Sequence, residues 1–235
     1  MRGLLFLLMV LPVMAQGGAW PRGEGQAFLS FALEGSDDGI IATAFAEFGL
    51  TEQLTFGLDA VTSFEDDSAT FIAFARYSFP ARGPHVFAVS GGLGAEYRVD
   101  TREEQLTPSG PVTLVDDPKL GGFLRAGLHY GRGFENGWFA LDASHDWGTL
   151  ESDTTPARPD VEISRTKLDA TLGYRLSDEF AVIGQAFLFR DQFGTLRSAF
   201  LGGIFERGAY SLEVGVKQSF DTGDTALKLG VWRQF

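Results

Sequence analysis

From residue 26 onward the sequence repeats one device. Apolar and polar residues alternate over stretches of eight to thirteen positions, a short polar break follows, and the alternation resumes. The last stretch, residues 225–235, shows the pattern plainly: Leu227, Leu229, Val231 and Phe235 fall on one face, with Lys228, Gly230 and Gln234 on the other. Side chains that repeat every second residue belong to a β-strand with one apolar and one wet side. Residues 26–33 set Ala27, Leu29, Phe31 and Leu33 against Gln26, Ser30 and Ala32. Residues 40–50 and 54–62 continue in the same way, separated by a tight turn at 51–53.

Further alternating runs fall at about 70–79, 85–97, 120–131, 138–147, 163–175, 180–189, 196–205 and 210–220, which with the four above makes twelve. The expected fold is all-β: an antiparallel up-and-down β-barrel of about twelve strands, built as one domain over residues 16–235. An even strand number puts both ends of the chain on the same side. Short connections at 51–53, 80–84, 132–137, 176–179 and 206–209 alternate with longer or more polar ones at 34–39, 63–69, 98–119, 147–162, 190–196 and 220–225. There is no cysteine, so disulfides and thiolate metal sites are excluded. The formal net charge of −12 lacks the basic footprint of a nucleic-acid binder.

The closing run with its final aromatic residue resembles the C-terminal strand of bacterial outer-membrane β-barrels. In that family this strand is read by the barrel-insertion machinery, which the resemblance makes a partner through Phe235. Arg233 departs from the pattern by standing on the apolar face. The hairpin phrase Ala46-Glu47-Phe48-Gly49-Leu50-Thr51-Glu52-Gln53-Leu54-Thr55-Phe56-Gly57-Leu58-Asp59 is similar to one common in proteobacterial outer-membrane proteins. The N-terminal stretch agrees: Arg2, an apolar run over 4–13 and Val13-Met14-Ala15 read as a signal peptide over 1–15, with Gln16 opening the mature chain. The resemblance implies a barrel in the outer membrane of a Gram-negative bacterium, with lipid and lipopolysaccharide as its surroundings. No oligomeric state follows from it.

In a barrel of this kind a charge facing lipid near the midplane costs roughly 2–4 kcal/mol, so strand charges must face the lumen. Glu47, Asp59, Arg76, Glu96, Arg125, Asp142, Lys167, Asp169, Arg175, Glu213, Lys217 and Lys228 all oppose the more apolar face of their runs, and His129 shares that inward side. These thirteen are the expected pore-lining residues. Opposite charges on neighbouring strands, such as Asp142 with Arg125 or Asp169 with nearby lysines, are expected to pair across the lumen. Phe74, Phe123, Trp138, Phe187, Phe189 and Trp232 share the inward face.

The proposed outer connections hold eighteen Asp and Glu against five Lys and Arg, while the short turns hold five against three. Asp37, Asp38, Glu65, Asp66, Asp67, Asp116 and Asp117 are the core of this acidic rim. It reads as a solvated face, because neither Glu65-Asp66-Asp67 nor Asp116-Asp117 has calcium-loop spacing. No metal or cofactor is expected. Ser144-His145-Asp146 carries the residue types of a hydrolytic triad, but in a strand Ser144 and Asp146 point one way and His145 the other. Inward His129, with Asp142 or Ser144 in reach on the next strand, leaves a dyad as the one catalytic arrangement open. His85 falls at a turn and is expected to be solvated. The expected role is therefore non-enzymatic: a narrow passive channel for small polar solutes or cations. Two alternatives stand beside it, a non-conducting barrel with a plugged lumen and a transporter of apolar or aromatic compounds.

Overall fold

The computed structural model describes residues 18–37, 39–65, 67–105, 112–152 and 161–235. Residues 1–15, read above as a signal peptide, and Gln16, Asp38 and Asp66 lie outside the described residues. Twelve strands follow one another: β1 (Ala27–Ser36), β2 (Gly39–Gly49), β3 (Leu54–Ser63), β4 (Ser68–Ser78), β5 (His85–Gln105), β6 (Val112–Phe134), β7 (Gly137–Ser152), β8 (Val161–Arg175), β9 (Phe180–Arg190), β10 (Thr195–Arg207), β11 (Tyr210–Ser219) and β12 (Thr225–Gln234). Each pairs antiparallel with its neighbours in sequence, and β1 pairs with β12, so the sheet closes into a barrel. Closure removes the two unpaired edges that an open sheet would expose. Its last rung is reciprocal: Phe235 N donates to the Ala27 carbonyl at 3.0 Å, and Ala27 N to the Phe235 carbonyl at 3.4 Å.

The outward face is the apolar one. Leu93, Leu124, Leu128 and Leu201 are 57–71% exposed, with Phe31, Phe56, Leu172 and Leu229 on the same surface. An apolar belt of this extent around a closed barrel is what a bilayer covers. Towards the end of the barrel where β1 starts and β12 finishes, aromatic rings gather into a girdle: Tyr77 against Phe79 at 5.3 Å, Phe87 against Tyr130 at 5.0 Å, and Phe180 against Phe205 at 4.8 Å. Arg233 belongs to this girdle, its guanidinium 4.9 Å from the Tyr210 ring and 4.2 Å from Phe235. A cation at the interface keeps its head among ring faces and headgroups, so it does not oppose membrane insertion there. His85 is only partly exposed and its Nδ1 lies 2.8 Å from the Tyr130 hydroxyl, which corrects the expectation of a solvated side chain.

Three connections differ from the sequence pattern. Residues 98–119 are mostly hairpin, not loop: the ladder continues from Arg98 opposite Lys119 to Gln105 opposite Val112. Asp116 and Asp117 are therefore strand residues of β6, paired with Thr101 and Asp100. Much of 147–162 is likewise strand, since β7 runs to Ser152 and β8 starts at Val161. The reason is physical. About 9–11 tilted residues cross the hydrocarbon layer, and β5 and β6 are 21 and 23 residues long. Beyond the membrane both faces of a strand are wet, so the backbone ladder persists while the alternation that reveals it disappears. The connection at 34–39 is also tighter than expected, because β1 reaches Ser36 and β2 begins at Gly39, where φ is +126°.

The core lies inside the barrel. Phe28, Trp138, Ala181, Ile183, Phe200, Ile204 and Trp232 form a buried cluster, and Trp20, Phe45 and Phe187 pack against it. Glycines on neighbouring strands make room for these rings and others: a Cβ at Gly57, Gly94, Gly173 or Gly215 would overlap Phe74, Phe123, Trp138 or Phe200. Much of the glycine content is thus the counterpart of the inward aromatics.

Candidate functional site: a strapped chamber in the lumen

The stretch before β1 is part of the lumen. Residues 18–25 enter the barrel mouth as a strap held by polar contacts to inward side chains. Ser78 Oγ donates to the Ala19 carbonyl at 2.8 Å, an Arg76 guanidinium N–H donates to the Trp20 carbonyl at 3.1 Å, and Arg22 N donates to Thr55 Oγ1 at 3.1 Å. Arg22 and Arg76 both reach Glu47 at 2.6 Å, and its side chain is fully buried. The Arg22 guanidinium also lies 4.2 Å from the Phe28 ring centroid. Gly131 and Gly49 give the strap its space: a Cβ at Gly131 would come within 2.7 Å of Trp20, and one at Gly49 would overlap the Gly23 carbonyl. No charge pattern marks Ala19 or Trp20, so the strap is visible only once the barrel mouth exists to hold it.

Above the strap and the aromatic cluster lies a chamber of about 340 Å³. Nine of the thirteen inward residues read from the sequence line it: Asp59, Arg76, Arg125, His129, Asp142, Lys167, Asp169, Glu213 and Lys228. Arg76 does so from the floor, where it also holds the strap. Most charges on the wall are neutralised locally. Lys167 pairs with Asp169 at 3.0 Å, Lys228 with Glu213 at 3.2 Å, and Lys217 with Glu34 at 2.7 Å. Aromatic faces share the cations: Lys228 Nζ lies 4.9 Å from the Phe200 ring and Lys217 Nζ 5.3 Å from Phe187. Asp142 does not pair with Arg125. On β6 its direct cross-strand neighbour is His129, whose Nδ1 lies 2.6 Å from Asp142 Oδ1, while Arg125 stands opposite Asp146 and takes it with two hydrogen bonds of 2.6 and 2.8 Å. Arg175 sits at the barrel mouth near the strap end, 3.2 Å from Glu206.

Outward of the chamber the lumen narrows. Ile72, Phe123, Leu150 and Ile163 form a second buried cluster, and Arg165 stacks over Phe123 at 4.8 Å. From β8, Arg165 reaches Glu96 on β5 and approaches Asp146 on β7 at 3.5 Å. Glu96 is thus part of a charged neck. Asp146 and Arg165 share the inward phase of their strands, so the alternation that found Asp142 and Lys167 could have found them too. Beyond the neck opens a vestibule of about 690 Å³. Glu65, Asp67, Arg98, Asp191 and Gln192 border it, so Glu65 and Asp67 of the acidic rim face its entrance. Asp37 is in the tight turn between β1 and β2. Ser144 and Asp146 face inward and His145 outward, with Nδ1 2.8 Å from Thr166 Oγ1 and its ring 4.3 Å from that of Trp147.

No family model matches the sequence, and no curated protein matches it. The fold is that of outer-membrane β-barrels. The translocator domain of autotransporter NalP from Neisseria meningitidis is similar at TM-score 0.59 and 14% identity, over 91% of this chain and 90% of that one. The NanC porin is similar at TM-score 0.54 and 8% identity, covering 87% and 98% of the two chains. The KdgM porin has TM-score 0.52 and 10% identity, covering 88% and 99%.

Proposed function

We propose that this chain is a bacterial outer-membrane barrel that admits small polar solutes from the outside into a charged chamber, and that its own N-terminal strap holds it shut on the inner side. The observation that carries the reading is the series of spaces in the lumen: a wide vestibule, a charged neck and a chamber lined by charged side chains stand in line, and polar contacts fasten the strap below them. Local pairing of the chamber charges favours small polar or zwitterionic solutes over strongly charged ones. The porins among the similar folds support the reading. In this picture the apolar belt is set in lipid and lipopolysaccharide, and the Phe235 strand is the signal for the insertion machinery.

Conductance in a planar bilayer tests it. The wild-type protein should give small, infrequent steps. Trp20→Ala combined with Arg22→Ala, which removes the strap's ring and its ion pair, should give larger and more frequent ones. Silence from both proteins, each shown to be folded by its heat-dependent gel mobility, would sink the channel reading. That result favours a non-conducting barrel whose loops do the work, a reading supported by the buried aromatic cluster in the lumen.

A further inference from the structure

We propose that Ser90, His129 and Asp142 form a nucleophilic centre on the chamber wall that cleaves small esters, an activity independent of whether solutes pass through the barrel. The three stand on adjacent strands β5, β6 and β7. His129 Nδ1 lies 2.6 Å from Asp142 Oδ1, and Ser90 Oγ lies 2.8 Å from His129 Nε2. Ser90 is directly opposite Gly127, not His129, so the second contact is diagonal. Gly127 makes it feasible: a Cβ there would collide with Ser90 Oγ and come within 3.0 Å of His129 Nε2.

Donor chemistry sets the direction of the relay. An ionised carboxylate only accepts, so Nδ1 carries the proton towards Asp142 and Nε2 is left to accept from the serine hydroxyl. A hydroxyl, an imidazole and a carboxylate in that order, each within hydrogen-bond reach of the next, are the parts of an activated oxygen nucleophile. All three line the chamber, with the His129 and Asp142 side chains 14% and 29% exposed. A single row across four strands runs Ser90, Gly127, Ser144, Lys167. Ser90 Oγ leans into the space over Gly127, towards Ser144 in the same row. A carbonyl set on the chamber side of Ser90 Oγ would turn its oxygen towards the Ser144 hydroxyl and the Lys167 ammonium, groups that stabilise a developing negative charge. Phe45, Phe74 and Phe187 supply apolar wall, and about 340 Å³ suits a short or aromatic acyl ester rather than a diacyl lipid.

In the step, Ser90 Oγ attacks the ester carbonyl carbon while its proton passes to His129 Nε2. The bond from that carbon to the alcohol oxygen breaks, and the departing alkoxide takes the proton from His129. Water then attacks the acyl-serine with His129 as base, the carboxylic acid leaves, and the proton returns to Ser90 Oγ. Ser90 and His129 are catalytic residues in this scheme, and Asp142 positions the imidazole.

The test uses the folded barrel in detergent and diisopropyl fluorophosphate, with adducts mapped by mass spectrometry. Wild type and Ser30→Ala, which alters another chamber serine, should be phosphorylated by the reagent at Ser90 with release of fluoride. His129→Gln should slow that labelling by roughly 10²-fold or more, and Ser90→Ala should abolish it. Hydrolysis of 4-nitrophenyl acetate should follow the same order. Ser90→Cys, in a chain with no cysteine of its own, reports access to the position through reaction of its thiol with a small methanethiosulfonate. A thiol that reacts in Ser90→Cys, together with no labelling of Ser90 in the wild type, overturns the proposal. So does labelling indifferent to His129→Gln, and so does a Ser90→Cys thiol that no small reagent reaches.

Discussion

At the scale of single residues, Glu47 is the most consequential side chain in the barrel mouth. It is fully buried and holds two guanidiniums, one from the strap and one from β4. Removing one partner of a buried pair typically costs about 3–5 kcal/mol, because the other charge is left without compensation. Glu47→Ala should therefore lower the stability read from urea unfolding by that amount, and Arg22→Ala by clearly less, since Glu47 keeps Arg76. Asp221, in the outer turn between β11 and β12, makes the opposite kind of contact, exposed and local. Hydrogen bonds from the Arg197 side chain and backbone hold its carboxyl below the usual carboxylate range. A depressed folded pKa contributes stability above the unfolded value of about 3.9, and loses it as the pH falls through the lower folded value. The clasp should thus be intact at and above about pH 4 and open only in stronger acid, which a carboxyl chemical-shift titration of Asp221 would follow. The charges of the lumen were legible in the sequence because lipid forbids them on the other face. Ser90 and Gly127 were not, because nothing about an uncharged inward residue tells which neighbour it will meet.

At the scale of elements, β5 and β6 and the strap mark where the sequence pattern stops being informative. The part of the β5–β6 hairpin beyond the membrane is held by its own ladder and lies past the level at which the barrel closes. Replacing residues 100–117 with a short glycine-serine turn should leave insertion and heat-dependent gel mobility intact; failure to fold would mean that this hairpin buttresses the barrel. The strap is the opposite case. It has few backbone pairs and is fastened by side chains from β2, β3 and β4. Those positions are far apart in sequence, so the strap shows no period of its own and reads simply as a lead into β1.

At the scale of the molecule, the acidic outer rim and the locally neutral chamber divide the electrostatics. Glu65 and Asp67 stand at the vestibule while most of the chamber charges are paired. Any cation preference should therefore arise at the rim and weaken as salt screens it. Neutralising Glu65, Asp66 and Asp67 together should shift the reversal potential under a salt gradient towards zero; unchanged selectivity would remove the rim from the account. The alternating pattern alone determined the strand number, the antiparallel order, the choice of inward and outward faces and the apolar belt. These follow from the two-residue period and from the cost of placing charge in lipid, both of which act strand by strand. Only the tertiary structure decided that the lumen is divided into vestibule, neck and chamber, that the strap closes one end, and which inward residues touch. Those features depend on register and on closure of β1 against β12, which bring together side chains that no local period relates.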